Sequence, residues 1–528
     1  MGTSLSYPGV YIEELPSGQH TITGVATSIA AFIGWAPQGP VTGPVLVESW
    51  PEYQTLFGGL DSRSYLGYAV SQFFGNGGTQ AYILRLVANA DSGAVAVATT
   101  AHNTVNGLSL YASSPGMWAN TLSITVTQPT LAGAGITITV SQVTGGRTIL
   151  LESYANLSVS PTSSQYVVAV IDSDSEYITF VDPLNPSAAI PAPTAPVGTV
   201  TASLGSGGGS TAAVDGDVLD PTDAINPGEF TATLFPTSAT PASPGYKLLE
   251  NVEIFNLLCV PAYSSAPNLE TLQQYCSLRR AFLIVDPPQT MTEATLAQQQ
   301  QPLGAGNVAF SGQYLGNAAY YFPWVSAPDP LFGGRPKLSP PCGFVAGIYA
   351  STDASRGVWK APAGINASLS GLLGLQYALS DTQNGNLNPY AINCLRQFAT
   401  YGEVVWGSRT MAGADIMGSQ WKYVPIRRLA LYLESSLYDG TQWVVFEPND
   451  ETLWGQIRLS VGTFLQGLFL QGAFAGTTPA QAYFVKCDAE NNPGSSVALG
   501  VVNILVGFAP LYPAEFVVIQ IQQIVNQN

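Results

Sequence analysis

Charge is scarce in this 528-residue chain: Asp, Glu, Lys and Arg make up 10% of it, against a usual share of about 25%. The shortage falls mainly on the basic side, with 17 Lys and Arg against 34 Asp and Glu and a formal charge of −17. No basic run occurs, which excludes a nucleic-acid binder that grips phosphate with a positive face. Histidine is nearly absent, and His20 and His102 neighbour no obvious nucleophile. No G-x-S-x-G elbow, Walker loop or H-E-x-x-H is present, so the common local catalytic signatures are missing. The five cysteines (Cys259, Cys276, Cys342, Cys394, Cys487) lie far apart with no C-x-x-C pair. That spacing argues against a disulfide framework or a zinc site and predicts buried thiols. The longest apolar runs, near Gly24–Ala36 and Ala498–Leu511, fall short of the ~20 residues a membrane span needs. The residues Met1-Gly2-Thr3-Ser4 carry neither the basic nor the apolar region of a signal peptide, which leads to the expectation of folding in the cytoplasm.

What is present is apolar: 46% of residues are hydrophobic. A long chain with so few charges suits a protein whose surface is covered by copies of itself. The acidity is local. Residues 101–245 hold ten carboxylates and one basic residue, Arg147, for a net −9, and read as a solvent-facing surface. Within them Asp172, Asp174 and Glu176, and Asp215, Asp217 and Asp220, are spaced like cation loops but lack the glycine an EF-hand needs, so solvated turns are expected.

Both ends of the chain look like strands without neighbours. In Pro513–Asn528, Val517, Ile519 and Ile521 alternate with Val518, Gln520 and Gln522, a period of two. Tyr7-Pro8-Gly9-Val10-Tyr11-Ile12-Glu13-Glu14 is a similar extended piece. Unpaired strand edges seek partners, which points to assembly.

The interior alternates. Val25–Trp35 reads as a strand, Ser49-Trp50-Pro51-Glu52 as a capping box, and Tyr65–Phe73 as a helix stopped by Gly75-Asn76-Gly77-Gly78. Ala81–Val87 returns as a strand, and the pattern resumes with strands at Leu257–Val260 and Ala281–Val285 and helices at Asn268–Arg279 and Met291–Gln301. Between these halves lie short β-prone runs (Leu122–Thr127, Ile136–Gln142, Tyr166–Ile171, Tyr177–Val181). Farther on, a helix is expected near Pro425–Tyr438, a strand at Gln442–Phe446, a long helix bearing Trp454, Ile457, Val461, Phe464, Leu465 and Leu468, and strands at Tyr483–Lys486 and Val501–Leu505.

Several long motifs, in order, resemble the sheath proteins of contractile phage tails and related injection systems. They are Tyr7–Glu14; Thr27-Ser28-Ile29-Ala30-Ala31-Phe32-Ile33-Gly34 with Gly39-Pro40; Arg356-Gly357-Val358-Trp359-Lys360-Ala361-Pro362; Leu387-Asn388-Pro389 with Ile392-Asn393; Val405-Trp406-Gly407-Ser408-Arg409-Thr410; Tyr423-Val424-Pro425-Ile426-Arg427-Arg428; and Thr441-Gln442-Trp443-Val444-Val445-Phe446-Glu447-Pro448-Asn449-Asp450. The likeness covers roughly residues 2–87 and 343–528.

The resemblance implies an α/β and α+β multidomain protein. Its parts would be an N-terminal arm (1–22), an α/β sheath domain (23–88 and 246–342), an inserted β-rich acidic domain (89–245), a C-terminal α+β domain (343–512) and a C-terminal strand arm (513–528). It implies stacked six-membered rings around an inner tube, with baseplate and cap proteins as further partners. It implies no enzyme activity, cofactor, metal or nucleic acid and no direct membrane insertion. The particle would be assembled in a bacterial cytoplasm. Tyr7, Val10, Tyr11, Ile12, Phe516, Val517, Ile519 and Ile521 would form inter-subunit strands, and Arg427, Arg428, Trp454, Arg458 and Gln466 would face the tube or an interface. Relatives often carry several basic residues on the long helix, where this chain has Arg458 alone. A static surface or adhesin-type assembly protein, and a hydrolase, are the other classes open at this point.

Overall fold

The structure is a computed structural model that describes residues 20–90, 93, 96–129, 135–206, 209–222, 227–238, 244–300 and 314–520. The chain divides into two compact units. One spans Thr27–Ser355 and Pro362–Val424; the other takes residues up to Ala26, Arg356–Ala361 and Pro425 onward.

The larger unit is organised by an eight-stranded sheet. Its strands run across the sheet in the order Gly402–Val405, Ile392–Phe398, Ala318–Phe322, Phe282–Val285, Leu257–Cys259, Ala30–Trp35, Ala81–Leu86 and Val45–Val47. The six inner strands are parallel, and the two outermost pair antiparallel. Ala30–Trp35 is buried at every position, as a parallel strand covered on both faces must be. The helix Trp50–Phe57 begins at Ser49, whose hydroxyl accepts from Glu52 N, and ends at Gly58 with φ 83°. The carboxylate of Glu52 accepts from Glu48 N at 2.7 Å, one residue ahead of the position a full capping box would use.

Residues 102–203 build two antiparallel sheets, of four and three strands, around a core that includes Ile124, Ile138, Val140, Val167 and Ile171. The run at 166–171 is not the expected strand: Val167–Asp174 is a helix, with Val167, Val168 and Ile171 buried. Tertiary packing on one helical face outweighs the β preference of its branched residues.

The smaller unit packs the helices Val424–Gly440 (from Pro425 on) and Glu451–Leu470 with the antiparallel strands Tyr483–Lys486 and Leu505–Phe508. Asp450 caps the long helix, its side chain accepting from Leu453 N at 3.0 Å. Leu453, Trp454, Ile457, Val461, Leu465 and Leu468 recur at helical spacing into a core shared with Ile22, Val358, Leu429 and Leu433.

Three expectations shift. The boundary expected at 343 is not where the units divide, because Ile392–Phe398 joins the parallel sheet beside Ala318–Phe322. The strand expected at 442–446 is a 3-10 turn, Gln442–Val444. The strand expected at 501–505 begins only at Leu505.

Candidate assembly surface

The motifs that carried the resemblance fall into two kinds. Those between 387 and 415 fasten the larger unit internally. Asn393 is fully buried; its amide donates to Tyr320 O (3.1 Å) and Arg409 O (2.7 Å) while its carbonyl accepts from Arg409 N at 2.7 Å. The Arg409 guanidinium, 1% exposed, donates to Asn388 O (2.9 Å) and pairs with Asp415 at 3.0 Å. Lys422 joins the same carboxylate at 2.7 Å, and the two cations hold Asp415 below the usual carboxylate range, the Lys422 hydrogen bond contributing most. Each buried charge and amide is satisfied, as a buried polar network must be.

A second clamp escaped the sequence reading. Arg85 lies on the strand Ala81–Leu86 and is 2% exposed. It donates to the carbonyls of Ala36 (2.8 Å), Gly39 (2.6 Å), Pro37 (3.2 Å) and Pro115 (2.8 Å). Burial draws its pKa down to about 9, and among the described residues no carboxylate pairs with it. The only signal in the sequence is an arginine inside an otherwise apolar strand.

The acidic spacings are structural as well. Asp215 accepts from Met117 N (2.7 Å) and pairs with Arg63 at 3.0 Å, and Asp172 accepts from Phe180 N at 2.7 Å. Among the described residues no group of three or more His, Cys, Asp or Glu is placed to hold a metal ion. All five cysteines are buried free thiols. No helix among the described residues is long and apolar enough to cross a membrane.

The smaller unit looks different. The two-stranded sheet Tyr483–Lys486 with Leu505–Phe508 has no further strand on either edge among the described residues. Tyr483, Val485, Val506 and Phe508 turn toward the unit's core. On the opposite face Phe484 and Leu505 stay exposed. Residues 511–520 belong to no strand or helix, and Phe516, Val517, Val518 and Ile519 are each 75–82% exposed. Tyr7, Val10, Tyr11, Ile12 and Ile521 lie outside the described residues.

The five residues expected to face a tube or an interface are not equivalent. Trp454 and Arg428 are buried, and Trp454 Nε1 donates to Asn449 Oδ1 at 2.9 Å. As the chain stands, these two support the helices rather than offer a contact. Arg427 pairs with Glu434 at 3.3 Å, and burial lowers its pKa. Arg458 donates to Cys487 O and pairs with Glu451 at 2.7 Å. Gln466 accepts from Tyr483 Oη at 2.8 Å. The open side of the long helix is left with Thr452, Leu459, Thr463 and Leu470 exposed, none of them charged.

A cavity of about 300 Å³ opens on this helix, lined by Ile22, Gly24, Tyr432, Ser460, Phe464 and Leu468 among others. His20 stands at its rim, stacked on Trp443 at 3.9 Å between ring centroids.

Residues 246–411 match the phage tail sheath protein central domain and residues 417–524 the phage tail sheath C-terminal domain, together just over half of the chain. The first match reaches into 246–342, which the motifs had left outside the resemblance. A tail sheath protein of Vibrio phage KVP40 is 28% identical over 167 residues, 31% of this chain and 24% of that protein. A putative prophage major tail sheath protein of Pseudomonas aeruginosa is 25% identical over 279 residues, 51% of this chain and 66% of the relative. The chain thus spans from a quarter to about two thirds of these curated relatives. Among solved structures, the sheath complex of the extracellular contractile injection system PVC, in its contracted state, superposes with a TM-score of 0.58 at 22% identity over 99% of both chains. The sheath tail protein of Listeria innocua superposes with 0.57 at 12% identity over 93% of this chain and 96% of its own. At such identities the superpositions establish a shared fold.

Proposed function

This chain belongs to the phage tail sheath family, and on that premise we propose that it is the structural subunit of a contractile sheath. Copies polymerise as stacked six-membered rings around an inner tube, between a baseplate and a terminal cap, and contraction drives the tube through a target envelope. The particle is a phage tail or a tail-like injection particle, assembled in a bacterial cytoplasm. Subunits are linked by strand exchange: the arms at 1–22 and 513–528 extend the two-stranded sheet of the smaller unit in neighbouring copies. Main-chain hydrogen bonds supply the affinity of such a link and alternate side chains its register. Head-to-tail contacts of this kind close into rings or run on as helices.

The observation that carries this reading is the pairing of two incomplete features in one chain. The sheet Tyr483–Lys486 with Leu505–Phe508 has open edges among the described residues, and the apolar segment Phe516–Ile519 is solvent-exposed. A two-stranded sheet is marginal alone, and a third strand stabilises it. The long helix Glu451–Leu470 faces the tube. With Arg458 engaged by Glu451, docking there is polar and apolar rather than ionic.

Deletion of residues 513–528 tests this. The expected product is folded, soluble and monomeric, and negative-stain electron microscopy of the particles finds no sheath, whereas the full chain gives long and short cross-striated forms. Normal sheaths from the deleted chain would remove strand exchange from the account.

A further inference from the structure

Phe446 carries two costs that no contact among the described residues of its unit offsets. Its φ is 71°, a left-handed conformation that bulky side chains rarely adopt. Its side chain is fully exposed at 102%, beside Val445 at 58%. The turn that presents it is held firmly. Val445 N donates to Gln442 O and Glu447 N to Val444 O, each at 3.2 Å, and Asp450 N donates to Pro448 O at 3.0 Å. Asn449 donates to Val501 O at 3.0 Å and accepts from Trp454 Nε1. Asn503, two residues on, is fixed by Asn491 and Asn492 next to the end of Tyr483–Lys486. The Phe446 turn is therefore pinned to the segment that leads into the strand Leu505–Phe508.

The terminal segment shows the matching need. Phe516, Val517, Val518 and Ile519 are all exposed, and as a strand they would put apolar side chains on both faces. A strand of that pattern is covered on both faces when it joins a sheet; half-solvated strands alternate instead. The core of the smaller unit covers one face, through Tyr483, Val485, Val506 and Phe508. The opposite face holds Phe484 and Leu505, each 53% exposed, beside Lys486, and no strand or helix covers it among the described residues.

We propose that Phe446 is a clamp for the arm of a second copy. Residues 513–520 of one copy enter along the Leu505–Phe508 edge of another, and the acceptor's Phe446, with Val445, closes over the face that the core leaves open. The turn fixes the backbone at residue 446 before the arm arrives, so only the ring's rotamer remains to be ordered at the moment of binding. This inference rests on the strand-exchange reading and adds the residue that holds the strand.

Two measurements on the full chain test it. With Phe446→p-benzoylphenylalanine, irradiation of assembled sheaths made from mixed isotopically light and heavy subunits should join position 446 to residues 513–520 of a different copy. Cross-links confined to other segments or to the same copy, or none in assembled sheaths, would overturn the clamp. The second variant is Phe446→Gly, which accepts the positive φ freely. The unassembled protein should melt at a higher temperature than the wild type, while the concentration needed for assembly rises at least tenfold. An unchanged assembly threshold would overturn the clamp and leave strand exchange standing, provided that deletion of 513–528 abolishes sheaths. Normal sheaths from that deletion would overturn both.

Discussion

The two units of this chain differ in where their backbone and apolar groups find partners. The larger unit is fastened from within, although buried polar atoms such as Trp35 Nε1, Tyr53 Oη and Tyr320 Oη find no hydrogen-bond partner there among the described residues. Its parallel sheet ends in antiparallel strands at both sides, Asn393 and Arg409 satisfy one another inside it, and Arg85 is spent on backbone carbonyls. Among its described residues the smaller unit leaves a two-stranded sheet open, an aromatic ring fully exposed in a strained turn, and an apolar segment in solvent. Single exposed apolar side chains occur in both units, Ile416 and Leu278 among them in the larger; what sets the smaller unit apart is a run of them, Phe516–Ile519, together with an open sheet edge, and contiguous apolar surface of that kind marks a place where other chains bind. Substitutions in the larger unit should therefore register as loss of folding, and substitutions in the smaller as loss of assembly.

Arg85→Ala gives the largest effect expected and breaks the comparison most directly if it fails. The change removes donors to four carbonyls and leaves a void in a buried strand. Losing a buried, fully bonded charged group costs on the order of 3–5 kcal/mol. Denaturant unfolding should show that loss in the monomer, before any question of assembly. A loss below about 1 kcal/mol would mean that the larger unit is not held by its buried clamps.

Asp286 gives the same unit a pH signature. It is 1% exposed and accepts from Ala262 N at 2.9 Å and Cys342 N at 2.8 Å, yet burial raises its pKa to about 6 from the usual 3.8. A carboxyl whose folded value lies above its unfolded value stabilises the fold fully below pH ~4, and that contribution fades as pH rises through ~6. The change amounts to about 3 kcal/mol at most. Asp61 and Asp415, held below the usual value, act oppositely and at lower pH. Thermal melts should therefore show the wild type gaining stability between pH 7 and 5. Asp286→Asn should flatten that gain, and an identical slope in both proteins would refute the assignment.

How much of this was legible in the sequence follows the same division. Local signals were read correctly where local chemistry decides: Ser49 caps its helix and Gly58 ends it. The apolar run 30–35 forms a buried inner strand of the sheet, and the 453–468 periodicity is the core face of the long helix. Readings failed where a distant partner decides. Val167–Asp174 is rich in branched residues yet helical. Ile392–Phe398 pairs with a strand some seventy residues upstream, so no window of sequence contains the reason. The apolar run Trp443–Phe446 suggests a strand, but its last residue points into solvent. Arg85 was silent because a lone arginine in a strand does not announce which carbonyls it will meet.

The smallest effect expected belongs to Arg458, the one cation on the helix Glu451–Leu470. Arg458 is 36% exposed and pairs with Glu451, itself 64% exposed, at 2.7 Å, while also donating to Cys487 O. Exposed pairs of this kind contribute up to ~1 kcal/mol and are screened by salt. If docking of the long helix relied on that charge, Arg458→Gln would lower sheath yield and raised ionic strength would do the same. The exposed neighbours Thr452, Leu459, Thr463 and Leu470 point elsewhere: apolar and hydroxyl contacts persist in salt. Sheath yield in Arg458→Gln should therefore stay within about twofold of wild type, and it should hold across ionic strengths that screen exposed charges. A steep loss in either experiment would transfer the docking energy from the uncharged helix face back to Arg458.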